Sequence, residues 1–234
     1  MFKPLITISL VVAMCALPVV AQPITPRPPD AKPTNAKDKK IAEVGEEAPQ
    51  FELTDQFGKT HKLEQYKGKI VVLEWFNEKC PYCKGVWESG LVPKLKKELQ
   101  EIETEVVYLA INSSANRPEE DVLESGAEFL EELESETPML MDYDGAVGHK
   151  FGARTTPHMF IIDAEGVLVY SGAISDDHSL KEGDKAETHV SRVVTQLEAG
   201  EEVSPSYVQP WGCSVKYKRG GGKGRREPVG RPRR

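Results

Sequence analysis

Two cysteines three positions apart, in Cys80-Pro81-Tyr82-Cys83, are the residues of this chain best suited to chemistry. At the start of a helix, thiols at this spacing lie side by side and can close a small, reversible disulfide. The first of them also faces the unpaired backbone N–H groups of the opening turn, which favour a thiolate. The neighbouring residues supply that setting. Ile70-Val71-Val72-Leu73-Glu74-Trp75-Phe76 is apolar and β-branched, and reads as a central strand. A helical pattern begins near Pro81, whose missing N–H is harmless in a first turn. A dithiol placed between strand and helix points to redox work.

Length and charge bound the rest. The chain has 234 residues and a formal net charge of -7, which suits one domain with appendages. From Lys216 onward nine residues are Lys or Arg and only Glu227 is acidic, so this end carries +8 and the remainder -15. The basic end is a separate electrostatic object. At the other end Lys3 precedes an apolar run, Leu5 to Val20, broken only by Thr7, Ser9 and Pro18, and Val19-Val20-Ala21 offers a cleavage site. This predicts a secretory leader over residues 1–21, cut after Ala21, and a periplasmic or otherwise exported protein. The run is short for a membrane span, and Met14 is too bulky to make Cys15 a lipidation site. Export leaves three cysteines, Cys80, Cys83 and Cys213, an odd number that cannot all pair internally. They are too few for a disulfide-stapled scaffold.

Residues 22–40 are rich in Pro with Asp, Lys and Thr, and read as an extended linker. A domain is expected over 41–200. It starts with a β-hairpin of Phe51-Glu52-Leu53 and His61-Lys62-Leu63. The strand at 70–76 follows, then a helix from Pro81 to about Ile102, kinked by Pro93. A second buried strand covers 106–111. An acidic helix covers about 118–134, with Ser113 or Ser114 as its cap. Later come short strands at 139–142, 159–162 and 167–170, a short helix at 145–151 and a last helix at about 187–197. The order predicts an α/β fold, a mixed central β-sheet flanked by helices on both faces. A C-terminal extension containing Cys213 is expected over 201–217, and a basic, disordered tail over 218–234.

The stretch Glu74-Trp75-Phe76-Asn77-Glu78-Lys79-Cys80-Pro81-Tyr82-Cys83-Lys84, with Arg154-Thr155-Thr156-Pro157-His158-Met159-Phe160 downstream, resembles the thioredoxin-like superfamily. It is most similar to the exported redoxin-type branch, shared by alkyl hydroperoxide reductase/thiol-specific antioxidant proteins and periplasmic thiol-disulfide oxidoreductases. The resemblance covers about Val44 to Leu197 and rests on two distant motifs. It implies a thioredoxin-like fold and a cis Thr156–Pro157 bond, a geometry accessible at X-Pro. It also implies that the Thr156 backbone is offered to a substrate chain, and that Glu74 is a buried acid moving protons to or from Cys83. A carboxylate in an apolar strand is costly to bury charged, and otherwise points to water.

The resemblance makes Cys80 the more exposed thiol and the nucleophile, with a pKa below that of an ordinary thiol. Its thiolate attacks a disulfide, and Cys83 then displaces the reduced product; the reverse sequence oxidises a dithiol. Pro81 and Tyr82, together with Thr156 and Pro157, form the expected substrate contact. Lys79 and Lys84 favour a thiolate while Glu78 opposes it, and Trp75 is displaced from its usual family place next to the first cysteine. Protein thiols and disulfides are the expected partners, with a recycling partner that a membrane could hold. No cofactor, metal or nucleic acid is called for, and the basic tail fits anionic envelope surfaces. Pro210-Trp211-Gly212-Cys213-Ser214-Val215-Lys216 resembles the C-terminal end of some redoxin-like exported proteins. Cys213 there is a third redox cysteine, a site for intermolecular pairing, or a small residue packing the tail on the domain.

Two rivals remain. A thiol peroxidase of the redoxin branch expects Pro seven and Thr or Ser three residues before its cysteine. Leu73 and Asn77 stand there for Cys80, and Phe76 and Cys80 for Cys83. A copper or zinc module, or metal chaperone, would use Cys-x-x-Cys as half a site, but the five histidines show no ligand spacing.

Overall fold

The computed structural model describes residues 41–218; the expected leader and linker, and the expected tail beyond residue 218, lie outside the described residues. The hairpin forms from β1 (Glu52–Asp55) and β2 (Thr60–Lys62), paired antiparallel. Asp55 closes its turn by accepting the backbone N–H groups of Phe57 and Lys59, each at 2.9 Å. The central strand β3 (Ile70–Trp75) is buried along its whole length. It pairs parallel with β4 (Val106–Asn112), which pairs parallel with β5 (Met139–Met141). On its other side β3 pairs antiparallel with β7 (Met159–Ile162), which returns through a tight turn into β8 (Leu168–Gly172).

The mixed sheet expected from the element order is therefore present, with eight strands in the order β2-β1-β5-β4-β3-β7-β8-β9, the last being Tyr207–Val208. Alternation along β3 divides the core. Ile70 and Val72 face α1 (Pro81–Glu88), α2 (Leu91–Gln100), α3 (Glu119–Glu132) and α5 (His189–Glu198). Val71, Leu73 and Trp75 face α4 (Ala146–Phe151) and the N-terminal hairpin region. No helix of the described residues is long and apolar enough to cross a membrane.

Three local expectations change. The helix from Pro81 breaks at Gly90, not at Pro93. Gly90 adopts φ 86°, and Pro93 falls in the first turn of α2, where its missing N–H costs nothing. Ser113 and Ser114 do not cap the acidic helix; Pro118 precedes it without a side-chain cap. Ser113 instead accepts from Trp75 Nε1 at 3.0 Å and donates to Asp142 at 2.6 Å. The last helix starts later than expected, because the Thr188 hydroxyl accepts from Ser191 N–H at 3.0 Å.

Residues 201–217, set apart by composition, pack onto the domain. Strand β9 (Tyr207–Val208) extends the sheet beside β8. Strand β10 (Cys213–Ser214) then pairs with β6 (Thr155–Thr156), the two residues before Pro157. Val215 N–H donates to Arg154 at 3.0 Å, and Tyr217 stacks on His149 with ring centres 4.1 Å apart.

Candidate active site

Cys80 is the N-cap of α1 and Pro81 opens the helix. The loop from β3 is tight: Cys80 N–H donates to the Asn77 carbonyl at 2.9 Å, and the Asn77 side chain accepts from Lys79 N–H at 2.8 Å. This holds both sulfurs at the junction of strand and helix. The Thr156–Pro157 peptide is cis and lies opposite, where the Thr156 carbonyl accepts from the Cys80 thiol at 3.0 Å. The Thr156 hydroxyl is buried without a hydrogen-bond partner among the described residues.

The two thiols titrate in opposite directions. The Cys83 thiol is the strongest influence on Cys80 and, by donating to it, lowers its pKa. Burial opposes this, while Thr156, Cys213 and the Cys83 backbone add to the lowering, leaving Cys80 at about 4. Cys83 is pushed well above the ordinary thiol value, first by burial, then by its bond to Cys80 and the nearby charges of Glu74 and Cys80. The reduced pair is thus one thiolate and one thiol that donates to it.

Glu74 points inward, not to water. It is fully buried on the same face of β3 as the cysteines. Its carboxylate accepts from Tyr108 Oη at 2.8 Å and from Trp87 Nε1 at 3.1 and 3.2 Å. Burial raises its pKa to about 7 against those bonds. A carboxyl that changes charge near neutrality and is felt by Cys83 can carry a proton there. Tyr108 and Trp87 were missed from sequence. A hydroxylated aromatic inside the aliphatic strand Val106–Asn112 was the available signal.

The flanking charges act less directly than their positions in the chain imply. Glu78 is buried and pairs with Arg117, and it also accepts from Ser125 at 2.7 Å and from Asn112 at 3.1 Å. Its opposition to a thiolate is therefore largely neutralised. Lys84 turns to Glu88 at 3.4 Å and lies over the Phe129 ring. Lys79 is exposed. Trp75 packs against Phe151 and Phe160 on the opposite face of the sheet from the dithiol. It is part of the core and does not form a docking surface beside Cys80.

Cys80 is not an open thiol: only 2% of the residue is exposed, against 0% for Cys83. The C-terminal extension covers this site. Tyr82, itself exposed, meets Trp211 edge-on at 5.8 Å, and Trp211 is anchored by Nε1 donating to the Ser175 carbonyl at 2.7 Å. Gly212 follows at φ 123°, so close to the cis loop that a Cβ would collide with the Thr156 carbonyl and stand 3.2 Å from Pro157 Cδ. Cys213 then sits in register with Thr156, whose carbonyl meets the Cys80 sulfur, and it is near enough to Cys80 to feel its charge. All eight residues singled out from the sequence, Glu74, Cys80, Pro81, Tyr82, Cys83, Thr156, Pro157 and Cys213, gather at this end of β3. Among the described residues, no three or more His, Cys, Asp or Glu side chains are grouped to hold a metal ion.

Comparison with known proteins agrees with this arrangement. The thiol-disulfide oxidoreductase ResA of Bacillus cereus is 29% identical over 136 residues, 57% of this chain and 71% of that protein. The protein of the same name from Halalkalibacterium halodurans is 30% identical over 141 residues, 59% of this chain and 74% of its own length. The crystal structure of an uncharacterized conserved protein from Geobacillus kaustophilus superposes with a TM-score of 0.66 at 26% identity, covering 77% of this chain and 95% of that one. The fold is thioredoxin-like. The family model for AhpC/TSA matches residues 44–171, more than half of the sequence and the strands from β1 to β8 save the last residue of β8, and the chain belongs to the AhpC/TSA family.

Proposed function

We propose that the protein is a thiol-disulfide oxidoreductase whose reacting pair is Cys80 and Cys83. The observation that carries this reading is geometric: Cys80 caps the N-terminus of α1 with its sulfur 3.0 Å from the Thr156 carbonyl of the cis Thr156–Pro157 loop, and Cys83 lies fully buried one turn further into the same helix. Cys80, at about 4, is a thiolate at neutral pH, and Cys83 is held as its proton-bearing partner. The Cys80 thiolate attacks one sulfur of a protein disulfide, forming a mixed disulfide and expelling the other sulfur as a thiolate. Cys83 then loses its proton to Glu74 and attacks Cys80, which releases the second substrate thiolate and leaves Cys80–Cys83 oxidised. Once segment 211–214, which is paired with Thr155–Thr156, lifts away, the Thr156 backbone, Pro157, Pro81 and Tyr82 form the contact surface for the substrate chain. A separate redox partner restores the pair, and the leader at residues 1–21 directs the enzyme out of the cytoplasm.

The test is reduction of insulin disulfides by the full chain, with dithiothreitol as electron donor. Wild type is expected to accelerate the reaction, and Cys80→Ser to abolish the acceleration. Undiminished activity in Cys80→Ser would overturn the assignment. Rapid single-turnover consumption of peroxide with no disulfide reduction would overturn the reaction class.

A further inference from the structure

The cover over Cys80 is built so that a third thiol lies on it. Cys80 is followed into the core by the fully buried Cys83, and on its other side its sulfur lies 3.0 Å from the carbonyl of Thr156, the residue paired with the part-exposed Cys213. Four features hold that outer thiol in place. Strand β10 pairs with β6 at Cys213↔Thr156 and Ser214↔Thr155. Gly212 lies against the Thr156–Pro157 peptide at a distance no side chain permits. Trp211 is clamped between Tyr82 and the Ser175 carbonyl. Beyond the cysteine, Val215 N–H bonds to Arg154 and Tyr217 Oη to the Ala153 carbonyl at 2.9 Å. The segment approaches Cys80 as an extended chain carrying a cysteine, paired through its backbone with the loop opposite.

We propose that Cys213 is a third reacting thiol of this centre, forming a disulfide with Cys80 through the extended segment 211–214 docked on Thr155–Thr156. This rests on the reading of Cys80 as the attacking thiolate. When Cys80 is joined to a substrate sulfur, the Cys213 thiolate attacks the Cys80 sulfur. The bond from Cys80 to the substrate breaks, the substrate leaves as a thiolate and takes up the proton that Cys213 gave up, and a Cys80–Cys213 disulfide remains. Two protein thiols are oxidised and one substrate disulfide is reduced, so no further oxidant is needed. Cys83 can next attack Cys80, expel Cys213 as a thiolate and move the disulfide inward.

The electrostatics suit this order. In the reduced protein Cys213 is raised to about 11, first by burial and then by its bond to Cys80 and the negative charge there. Once Cys80 is bonded to substrate, that charge and that bond are gone, and Lys216 favours the Cys213 thiolate. Cys213 is therefore restrained until Cys80 has reacted.

The experiment uses the full chain, with Cys15→Ser throughout so that only the site thiols are counted, carrying Cys83→Ser and, independently, Cys83→Ala, each reduced, desalted and matched to the Cys83-containing chain by far-ultraviolet circular dichroism. One equivalent of 5,5′-dithiobis(2-nitrobenzoate) is added, released thiolate is counted by absorbance, and acid-quenched protein is mapped by peptide mass. The expected result is two equivalents of thiolate per equivalent of reagent, no reagent bound to protein, and a linked peptide pair containing Cys80 and Cys213. Adding Cys213→Ser should stop release at one equivalent and leave the reagent on Cys80. Release of one equivalent from both Cys83 variants, with a persistent mixed disulfide, would overturn the proposal. Wild type run alongside separates the two readings. A Cys80–Cys83 disulfide there, with no Cys80–Cys213 pair in the variants, refutes this inference alone. A wild type that never links Cys80 to Cys83 refutes the dithiol reading instead.

Discussion

Replacing Glu74 by Gln removes a carboxyl that is fully buried and whose pKa stands at about 7 against an ordinary 4.5. A carboxyl raised on folding binds more protons in the folded than in the unfolded chain between those two values. Stability attributable to Glu74 therefore falls as pH rises through the window from 4.5 to 7 and stays lowered above it. The two values differ by about 2.5 units, and one unit corresponds to ~1.36 kcal/mol, so the full penalty is about 3 kcal/mol. Gln does not titrate. Its amide must face the Tyr108 and Trp87 donors, which adds a cost that does not depend on pH. The quantity to follow is thus the change with pH in the difference between variant and wild type. Urea unfolding under reducing conditions should show Glu74→Gln gaining about 3 kcal/mol on wild type from pH 4 to pH 8, with m unchanged. A difference that stays flat across that range would refute the burial argument. If Glu74 also accepts the Cys83 proton, the same variant should slow resolution of a Cys80 mixed disulfide by about 10²–10⁴-fold in single turnover. Loss of the pH effect on stability with no change in that rate would confine Glu74 to a structural role.

Cys83→Ala removes the largest influence lowering Cys80, so the alkylation midpoint of Cys80 with iodoacetamide should move upward from about 4, and an unmoved midpoint would contradict the thiol-to-thiolate bond. Gly212→Ala places a Cβ against the Thr156 carbonyl at a backbone angle that L-residues avoid, and overpacking of this kind costs about 1–3 kcal/mol. The tail strand should lift, Cys80 should alkylate faster than in wild type at the same pH, and the thermal midpoint should fall. Unchanged alkylation would mean that segment 211–214 does not control access to Cys80.

What could be read from sequence was what nearby residues decide together. The two-residue gap in Cys80-Pro81-Tyr82-Cys83, the β-branched run before it and the proline that opens the helix are local signals. They are enough to place a dithiol at a strand-to-helix junction. The pairing of that motif with Thr156-Pro157 was legible only through the family resemblance, because nothing local in a Thr-Pro pair specifies the loop it faces. Local reasoning also failed locally where two signals competed. Pro93 looked like a kink, yet the left-handed freedom of Gly90 ended the first helix three residues earlier and left Pro93 in a position that tolerates it.

The tertiary structure decided the rest, because each remaining feature depends on residues far apart in the chain. Strand β3 is apolar on both sides, so alternation alone could not say whether Glu74 faced the cysteines or solvent. Packing of Tyr108 from β4 and Trp87 from α1 around its carboxylate settled that. Ser113 serves Trp75 and Asp142 across the sheet and not the helix next to it. Cys213 lies beside Cys80 through a two-residue strand pairing too short to leave a periodic signal. The dithiol was written in the order of the residues. Its third sulfur, its buried acid and its cover exist only because separate elements converge on one end of a central strand.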